Sequence, residues 1–579
     1  MDRRTLLALL LTAIVIVVTP FLFPAPRRPR PVPADTTRPA ARDTTPPPAV
    51  AAPAPTPLPA QRPAAAAVVA ASAARPETTV VRTDRATFLL LSPGGTPASV
   101  TLPEYRSLRP GASRATAVTL VDPTDRLLRL RLAGTRDTVA LDTIAFKAGP
   151  QRREGGSIVQ VLTSVSSSIP VTLTYRFPVD SFVAYVDGSV GTVAGQPPQA
   201  WRVLVTLPSR IRSDEADIND DTRHLAVAYR VRNSEVSTVS FRQLDTLATR
   251  VDTGAFRWVA IRNKYFVVAA IPEGRDSTFR SVVLRGGPRT GPEATAAFAT
   301  AMLPTSADRF SLKLYAGPQS WDHLRRAAPD LENVNPYGGW LHGLVQPFAT
   351  IVMRLLLWLH NTLSVGYGWV LVIFAVAVRI LLWPMNQSAM RSSMKLQRIQ
   401  PEMAELQKKY RNDPEKQRDA MLKLYQAHGM SPFSPILGCL PMLLPMPILY
   451  ALYFVFQNTI ELRGVSFLWL PDLSLRDPYF ITPLFMGVSM FILSWIGMRG
   501  MPPSPQGKMM SYVMPVMFTA LFWNFASGLN LYYAVQNVAA LPQQWMLSRE
   551  KQRSQPAQPV PVAKKAVGGG GKGTRNEGS

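Results

Sequence analysis

The sequence is poor in the residues that staple or metallate a domain. It holds one cysteine, Cys439, and five histidines among 579 residues. An intramolecular disulfide is excluded, so an exported domain must hold together by packing alone. One thiol and scattered imidazoles cannot assemble a structural zinc site. Acidic residues are also scarce, 38 against 63 Lys and Arg, leaving a net charge of +25. Such a balance points to nucleic acid, ribosomes or anionic lipid, and placement separates these. Nucleophile and metal-hydrolase signatures of the G-x-S-x-G or H-E-x-x-H type are missing. Gly568–Thr574 holds glycines and a lysine, but no strand precedes it, so it reads as a linker rather than a phosphate loop.

What the chain does have is two contrasting halves. After Arg3 and Arg4 an apolar run extends from Leu6 to Phe23, 18 residues. That is near the minimum for a spanning helix. The poor cleavage sequence Thr19–Pro24 favours an uncleaved anchor over residues 1–23 rather than a signal peptide. Residues 24–77 are rich in Pro and Ala with almost no aromatics, which predicts a disordered tether. Residues 78–318 alternate with period two, as in Ala117–Val121, Leu128–Leu132, Val171–Tyr175 and Val203–Leu207. Further strands are expected near 225–232, 257–271, 278–284 and 310–315, with turns such as Pro93-Gly94-Gly95 and Gly155-Gly156 between strands. The pattern predicts an all-β antiparallel sandwich.

The second half is a multi-span α-helical membrane protein by its hydropathy. Residues 319–362 make a connector in which His342, Gln346, Thr350 and Arg354 recur every four residues. One polar stripe on an apolar segment predicts a helix lying in the membrane interface. Residues 363–548 hold five apolar segments, near 367–385, 436–456, 479–496, 509–523 and 529–545. With the anchor this makes six spans. The loop Asn386–Ser431 carries nine Lys and Arg, which places it in the cytoplasm. Counting outward puts residues 24–362 on the far side and both termini inside. The basic tail 549–579 agrees. Within the loop, Met394, Ile399, Met403, Leu406 and Tyr410 form one apolar stripe. Asp413 and Pro414 can start a second helix, Gly429 can end it, and Met421, Leu424 and Tyr425 would face the first. A helical hairpin over 387–430 follows.

Arg379, inside the first of the five segments, is the sharpest feature. An arginine at mid-membrane costs about 2.5–3.5 kcal/mol on insertion scales and usually faces a wet cavity. Snorkelling to the cytoplasmic headgroups is the alternative. Asn530, Tyr532, Tyr533, Gln536 and Asn537 on the last segment favour the cavity, and Tyr533, Gln536 and Asn537 share a helix face. Methionines cluster nearby, among them Met442, Met446, Met486, Met490, Met514 and Met517. They suit a surface that accepts many apolar sequences, and equally an ordinary lipid-facing or core role.

From Asn335 to Glu550 the chain resembles the bacterial YidC-type insertases, relatives of the mitochondrial Oxa and chloroplast Alb proteins. The residues that carry the resemblance are Tyr315-Ala316-Gly317-Pro318, the Arg379 segment ending in Pro384, and Leu396–Pro401. Gly438-Cys439-Leu440-Pro441-Met442, Glu461-Leu462-Arg463, Asp472–Ser474, Asp477–Tyr479, Ser527–Tyr533 and Gln543-Gln544 continue it. Trp258-Val259-Ala260, Lys264-Tyr265-Phe266 and Ile271-Pro272 resemble the periplasmic β-super-sandwich of Gram-negative members. The resemblance implies six helices in the inner membrane, five of them forming the insertase core, and neither enzyme activity nor a cofactor. It implies that Arg379 is the groove arginine and that Tyr532 and Tyr533 lie along the substrate path. Met394, Met403, Tyr410, Met421 and Tyr425 belong to a hairpin that takes part in substrate capture. Partners would be nascent membrane proteins, the Sec translocon and the lipid bilayer, with ribosomes at the basic tail and no DNA. Ala375 stands where relatives often have Thr, and Pro445 where many have Gln, which implies a less polar groove. A polytopic transporter with a periplasmic sensing domain is the competing class, but it needs internal repeats and paired intramembrane charges. An anchored sugar-processing enzyme would need a convergent carboxylate pair.

Overall fold

A computed structural model describes residues 77–553, apart from 114, 135–137, 166–168, 192–199, 245, 247–248, 275–276, 288–295, 336, 338–341, 385, 388–398, 412, 429–445 and 500–508. The expected anchor, nearly all of the tether, Met394, the Gly429 stop, the tail beyond 553 and the start of the second apolar segment lie outside the described residues.

The period-two half is antiparallel throughout. Strands β1 (Thr78–Arg82), β2 (Thr87–Leu91), β3 (Thr96–Arg106) and β4 (Ala117–Thr119) form one sheet in that order. Fifteen strands form the second sheet. They are β5 (Arg129–Ala133), β6 (Thr138–Ala140), β7 (Phe146–Ala148), β8 (Arg152–Glu154) and β9 (Ser157–Ser164). Next come β10 (Val171–Pro178), β11 (Val183–Val190), β12 (Arg202–Thr206), β13 (Ala226–Val231) and β14 (Val236–Ser240). The last are β15 (Thr249–Arg262), β16 (Phe266–Pro272), β17 (Phe279–Gly286), β18 (Ala297–Pro304) and β19 (Arg309–Pro318). The main path runs β6-β5-β12-β18-β17-β15-β16-β19-β11-β10-β9-β7.

Strands that alternate buried and open residues, such as β10 and β11, place one face in the core. Phe88 of β2 meets Phe177 of β10 at 4.8 Å between rings, so the two sheets share one interior and the domain is sandwich-like. Gly95 allows the turn before β3: its φ is +58°, and a Cβ there would sit 2.8 Å from the Phe146 ring.

The stretch expected as a strand near 257–271 is two strands, β15 and β16. They fold back at Asn263–Tyr265, where the Asn263 Oδ1 accepts from the Tyr265 and Phe266 amides at 3.2 and 2.8 Å. An asparagine that bonds the backbone two and three residues on makes a turn by itself. Helix α1 (Ile218–Arg223) begins at Asp217, whose carboxylate accepts from the Asp220 amide. The β core also reaches past residue 318. Leu324 and Ala327 of α2 (Trp321–Ala327) are buried in it, with Leu331 and Val334 just beyond.

The helical half contains α3 (His342–Leu363), α4 (Tyr367–Leu381), α5 (Gln400–Lys409), α6 (Pro414–Ala427), α7 (Met446–Asn458), α8 (Ile481–Met498), α9 (Met514–Phe522) and α10 (Ser527–Arg553). α3 has three faces rather than two. Val345, Ala349, Val352, Met353 and Leu356 are buried in the helical core, while Ile351, Leu355 and Trp358 are exposed. The polar stripe meets protein at Gln346, while His342 and Arg354 on it stay exposed. Gln346 accepts from the Tyr337 amide at 2.7 Å, His342 meets Glu235 at 3.1 Å, and Arg354 lies over the Trp321 ring of α2. α3 and α4 meet at a bend of 117°, which sets α3 across the direction of α4.

Among the described residues one helix, α8, is long and apolar enough to cross a membrane by itself, or two spans if the bent α3–α4 pair is one. The expected count of six is therefore not reproduced by helix length. Among the described residues α4 is regular over 15 residues, α7 over 13 and α9 over 9, with a π-helical turn at Met509–Val513 leading into α9, while α10 has 27 residues but many polar ones. α8 nevertheless presents Leu484, Phe485, Val488, Ile492 and Trp495 outward. That apolar outer face, with a packed inner one, is the pattern of a helix solvated by lipid.

Candidate functional site

Arg379 sits in the last turn of α4, half-buried, and faces α10. Its Nη2 donates to the Gln543 Oε1 at 2.7 Å. Gln543, 1% exposed, uses its amide nitrogen on the Trp383 carbonyl at 3.1 Å. Gln536, two turns earlier on the same face of α10, donates to the Ala375 carbonyl at 2.8 Å and to the Tyr532 hydroxyl at 3.1 Å. Tyr532 lies between Phe374 and Phe456, at 5.7 and 5.6 Å between rings. Arg379, Tyr532, Gln536 and Gln543 thus line one seam between α4 and α10.

Ala375 supplies its backbone carbonyl to this seam. The position keeps a polar contact, although its side chain is apolar.

The other expected residues are not brought to the same seam. Asn537 donates to the Met486 carbonyl and the Ser489 hydroxyl of α8 at 3.3 and 3.1 Å. Asn530, fully buried, donates to the Phe522 carbonyl of α9 at 3.2 Å. Tyr533 packs edge-on against Phe522. These three fasten α8 and α9 to α10. The expected shared face of Tyr533, Gln536 and Asn537 is divided because an angular window of one helix face spans the contacts of more than one neighbour.

Gln543 was not among the expected groove residues. Its spacing of seven from Gln536 was the signal that could have found it.

Three buried polar atoms in this region have no hydrogen-bond partner among the described residues: the Arg379 Nε, the Tyr533 hydroxyl and the Asn530 Oδ1. A buried donor or acceptor left unmade costs roughly 1–3 kcal/mol, so such atoms call for water or for a polar guest.

The hairpin closes on itself. Asp413 caps α6, accepting from the Lys416 amide at 3.1 Å, with Pro414 in the first turn. Ile399, Met421 and Tyr425 are buried together with Met403 packed on them, and the Tyr425 hydroxyl points at the Met403 sulfur at 3.8 Å. Met421 and Tyr425 thus face the first helix as their spacing predicts, and with Met403 they hold the hairpin together. Tyr410 stays partly exposed beside Lys409.

An apolar outer face on α8, a polar seam between α4 and α10 and a large antiparallel β-domain fit the class of membrane proteins with a large extramembrane domain. The comparisons with known proteins give the family. The family described as 60Kd inner membrane protein matches residues 358–555, and the YidC periplasmic domain matches residues 78–351. A membrane protein insertase YidC of Geobacter metallireducens is 29% identical over 564 residues, covering 95% of this chain and 98% of its own length. Relatives of the same name from Cupriavidus taiwanensis and Burkholderia cenocepacia are 30% and 31% identical, over 70% and 67% of this chain and 71% and 68% of theirs. The chain belongs to the YidC family of inner-membrane proteins, and its function is membrane protein insertion.

Proposed function

We propose that this insertase receives polar or acidic segments of nascent membrane proteins in a hydrated groove along the α4–α10 seam, with Arg379 as its charge. The observation that carries the reading is the state of Arg379: half-buried, one N–H committed to Gln543, and an Nε with no partner among the described residues. A guanidinium with an unused donor inside a bilayer attracts a carboxylate. Tyr532 and Gln536 border the same seam, while Asn530, Tyr533 and Asn537 hold its outer helices in place. The step is a lowered barrier without covalent chemistry, catalytic residue or cofactor.

Six spans, five of them in the insertase core, with both termini inside and residues 24–362 in the periplasm, is the topology we favour. Two contacts support it. Arg499 lies over Trp495 at 3.8 Å, and Arg549 over Trp545 at 3.5 Å. In this topology the C-terminal ends of α8 and α10 both reach the cytoplasmic face, where Trp and Arg concentrate. The hairpin meets substrates through its outer rim, including Tyr410. Delivery by the Sec translocon and contact of ribosomes with the tail 549–579 complete the proposal.

Arg379→Ala is expected to lower insertion of substrates with acidic translocated segments roughly tenfold, the equivalent of about 1.4 kcal/mol. Neutral substrates should be spared, and an in-membrane insertion assay with matched acidic and neutral substrates reads both. Undiminished insertion of every acidic substrate overturns the electrostatic role.

A further inference from the structure

The chain between α7 and α8 makes a tight turn whose two tip residues are both apolar. The Phe467 and Leu470 backbones bond each other reciprocally, amide to carbonyl, at 2.9 Å in both directions. Phe467 and Leu470 are buried in the helical core, whereas Leu468 and Trp469 between them are 70% and 39% exposed. The stem is seated on α4. The Phe467 ring lies so close to Gly368, in the first turn of α4, that no Cβ fits there, and it meets the Trp369 ring edge-on at 5.4 Å.

The tip is doubly unfavourable in water. Leu468 has a φ of +54°, in the left-handed region that suits Gly or Asn. A turn that only reversed the chain in water would take one of those. Here a large apolar side chain holds the strained position and stands outside the core. Its exposed surface is costly in water and favourable in hydrocarbon.

Aromatic side chains at three helix ends share this region. Trp369 at the start of α4, Tyr479 just before α8 and Trp523 at the end of α9 are all exposed, and Trp523 stacks on Phe480 at 4.4 Å. The tip is tied to them. The Trp469 indole N–H donates to the Asp477 carboxylate at 3.2 Å, and that carboxylate also accepts from the Tyr479 and Thr482 amides at 3.0 and 2.7 Å. Arg476 beside it is exposed. From here Ile481, Leu484, Phe485 and Val488 follow at helical spacing on the exposed face of α8, with no charged residue among them. In the topology favoured above, the starts of α4 and α8 and the end of α9 all reach the periplasmic side. Trp and Tyr concentrate at that depth of a bilayer, and an arginine there can reach lipid phosphates.

We propose that the Leu468–Trp469 tip is a membrane-binding element: it enters the outer leaflet at the boundary of headgroups and acyl chains and holds the periplasmic ends of α4, α8 and α9 at that depth. The occupant is phospholipid, because the tip is continuous with the uncharged outer face of α8 and is ringed by side chains that are apolar in body and polar at one end. The proposal rests on the topology and not on the α4–α10 seam.

The test uses the full-length chain. Cys439 is its one cysteine, so Cys439→Ala combined with Leu468→Cys gives a single labelling site. Tyr479→Cys is a second reporter, and Val251→Cys, exposed on β15, is the aqueous reference. Each protein carries a nitrobenzoxadiazole label and is reconstituted in vesicles of phosphatidylethanolamine and phosphatidylglycerol, with or without bromine on the acyl chains. Labels at 468 and 479 should emit to the blue of the label at 251, be quenched by the brominated lipid and resist aqueous iodide. Emission at 468 that is quenched by iodide as readily as at 251, and not by bromine, overturns the proposal. Sidedness is read separately, with a membrane-impermeant maleimide on cells whose outer membrane alone is opened. Val251→Cys should react there. Reaction only after the inner membrane is opened overturns the topology, and with it the outer-leaflet assignment, whereas a bromine-silent position 468 with Val251→Cys outside overturns the tip alone.

Discussion

Glu461 shows how much a single residue's setting can differ from what its type suggests. It neighbours Arg463 in sequence but turns the other way. Its carboxyl is enclosed near Ser320 and Asp322 although the residue as a whole keeps some exposure. Burial pushes it up to about 7, the Ser320 hydrogen bond opposes this, and Asp322 adds to it. A carboxyl raised in the folded state favours folding below its ordinary range, and that contribution fades as pH climbs through about 7. Thermal unfolding of the full chain is therefore expected to fall by a few degrees between mildly acidic and mildly alkaline buffer. Glu461→Gln should flatten the profile, and an unchanged pH slope in that variant would exclude Glu461 as its source. Arg379 was visible in the sequence as a residue out of place. Its partner Gln543 was not, because 164 residues separate the two and only packing joins them.

At the scale of elements, the helices are set by close approach. A Cβ on Gly487 of α8 would lie 2.0 Å from the Thr519 hydroxyl of α9, and that hydroxyl is held by the Pro515 carbonyl at 2.8 Å. A Cβ on Gly497 would meet the free end of the Gln544 side chain at 2.2 Å. Threonine is stiff at its first torsion, whereas a glutamine amide swings aside. Gly487→Ala should cost about 1–3 kcal/mol of core stability, and Gly497→Ala clearly less, as thermal melts in detergent would measure. Equal melting temperatures would show that α8 can shift as a body. In the hairpin, Asp413→Ala removes the α6 cap and should cost about 1 kcal/mol, seen as faster amide exchange in the first turn of α6. The sequence announced this hairpin through its cap and apolar stripes, and the side expected to face the first helix is where Met421 and Tyr425 are buried. The same periodicity serves a closed hairpin and an open binding face, and only the partner helix distinguishes them.

For the whole molecule, the β-domain carries its own core, with Trp258, Tyr175, Tyr315 and Phe177 fully buried and no cysteine to close it. Residues 78–334 expressed alone should fold, and should melt at the same temperature with or without reductant. Their melting point should nevertheless sit several degrees below the β-domain transition of the full chain. Isolation removes Ile460 from the core and leaves Glu215 without Arg463, and an unpaired buried charge is costly. Equal melting points would mean that the joint adds nothing to the domain's stability.

Local pattern determined the division into a β half and a helical half, the antiparallel class of the first, the polar stripe of α3, the start of α6 and the odd arginine in α4. Each follows from spacing, capping or charge within a few residues, which is information a chain carries before it folds. Tertiary structure alone decided which neighbour each polar residue meets. It sent Gln536 to α4 and Asn537 to α8, faced Gln346 toward the β-domain connector, and seated Arg463 on Glu215 across 248 residues. Such pairings depend on how whole elements pack. A helix face or a strand edge offers many partners of the right chemistry, and the hydrophobic cores of the two halves choose among them.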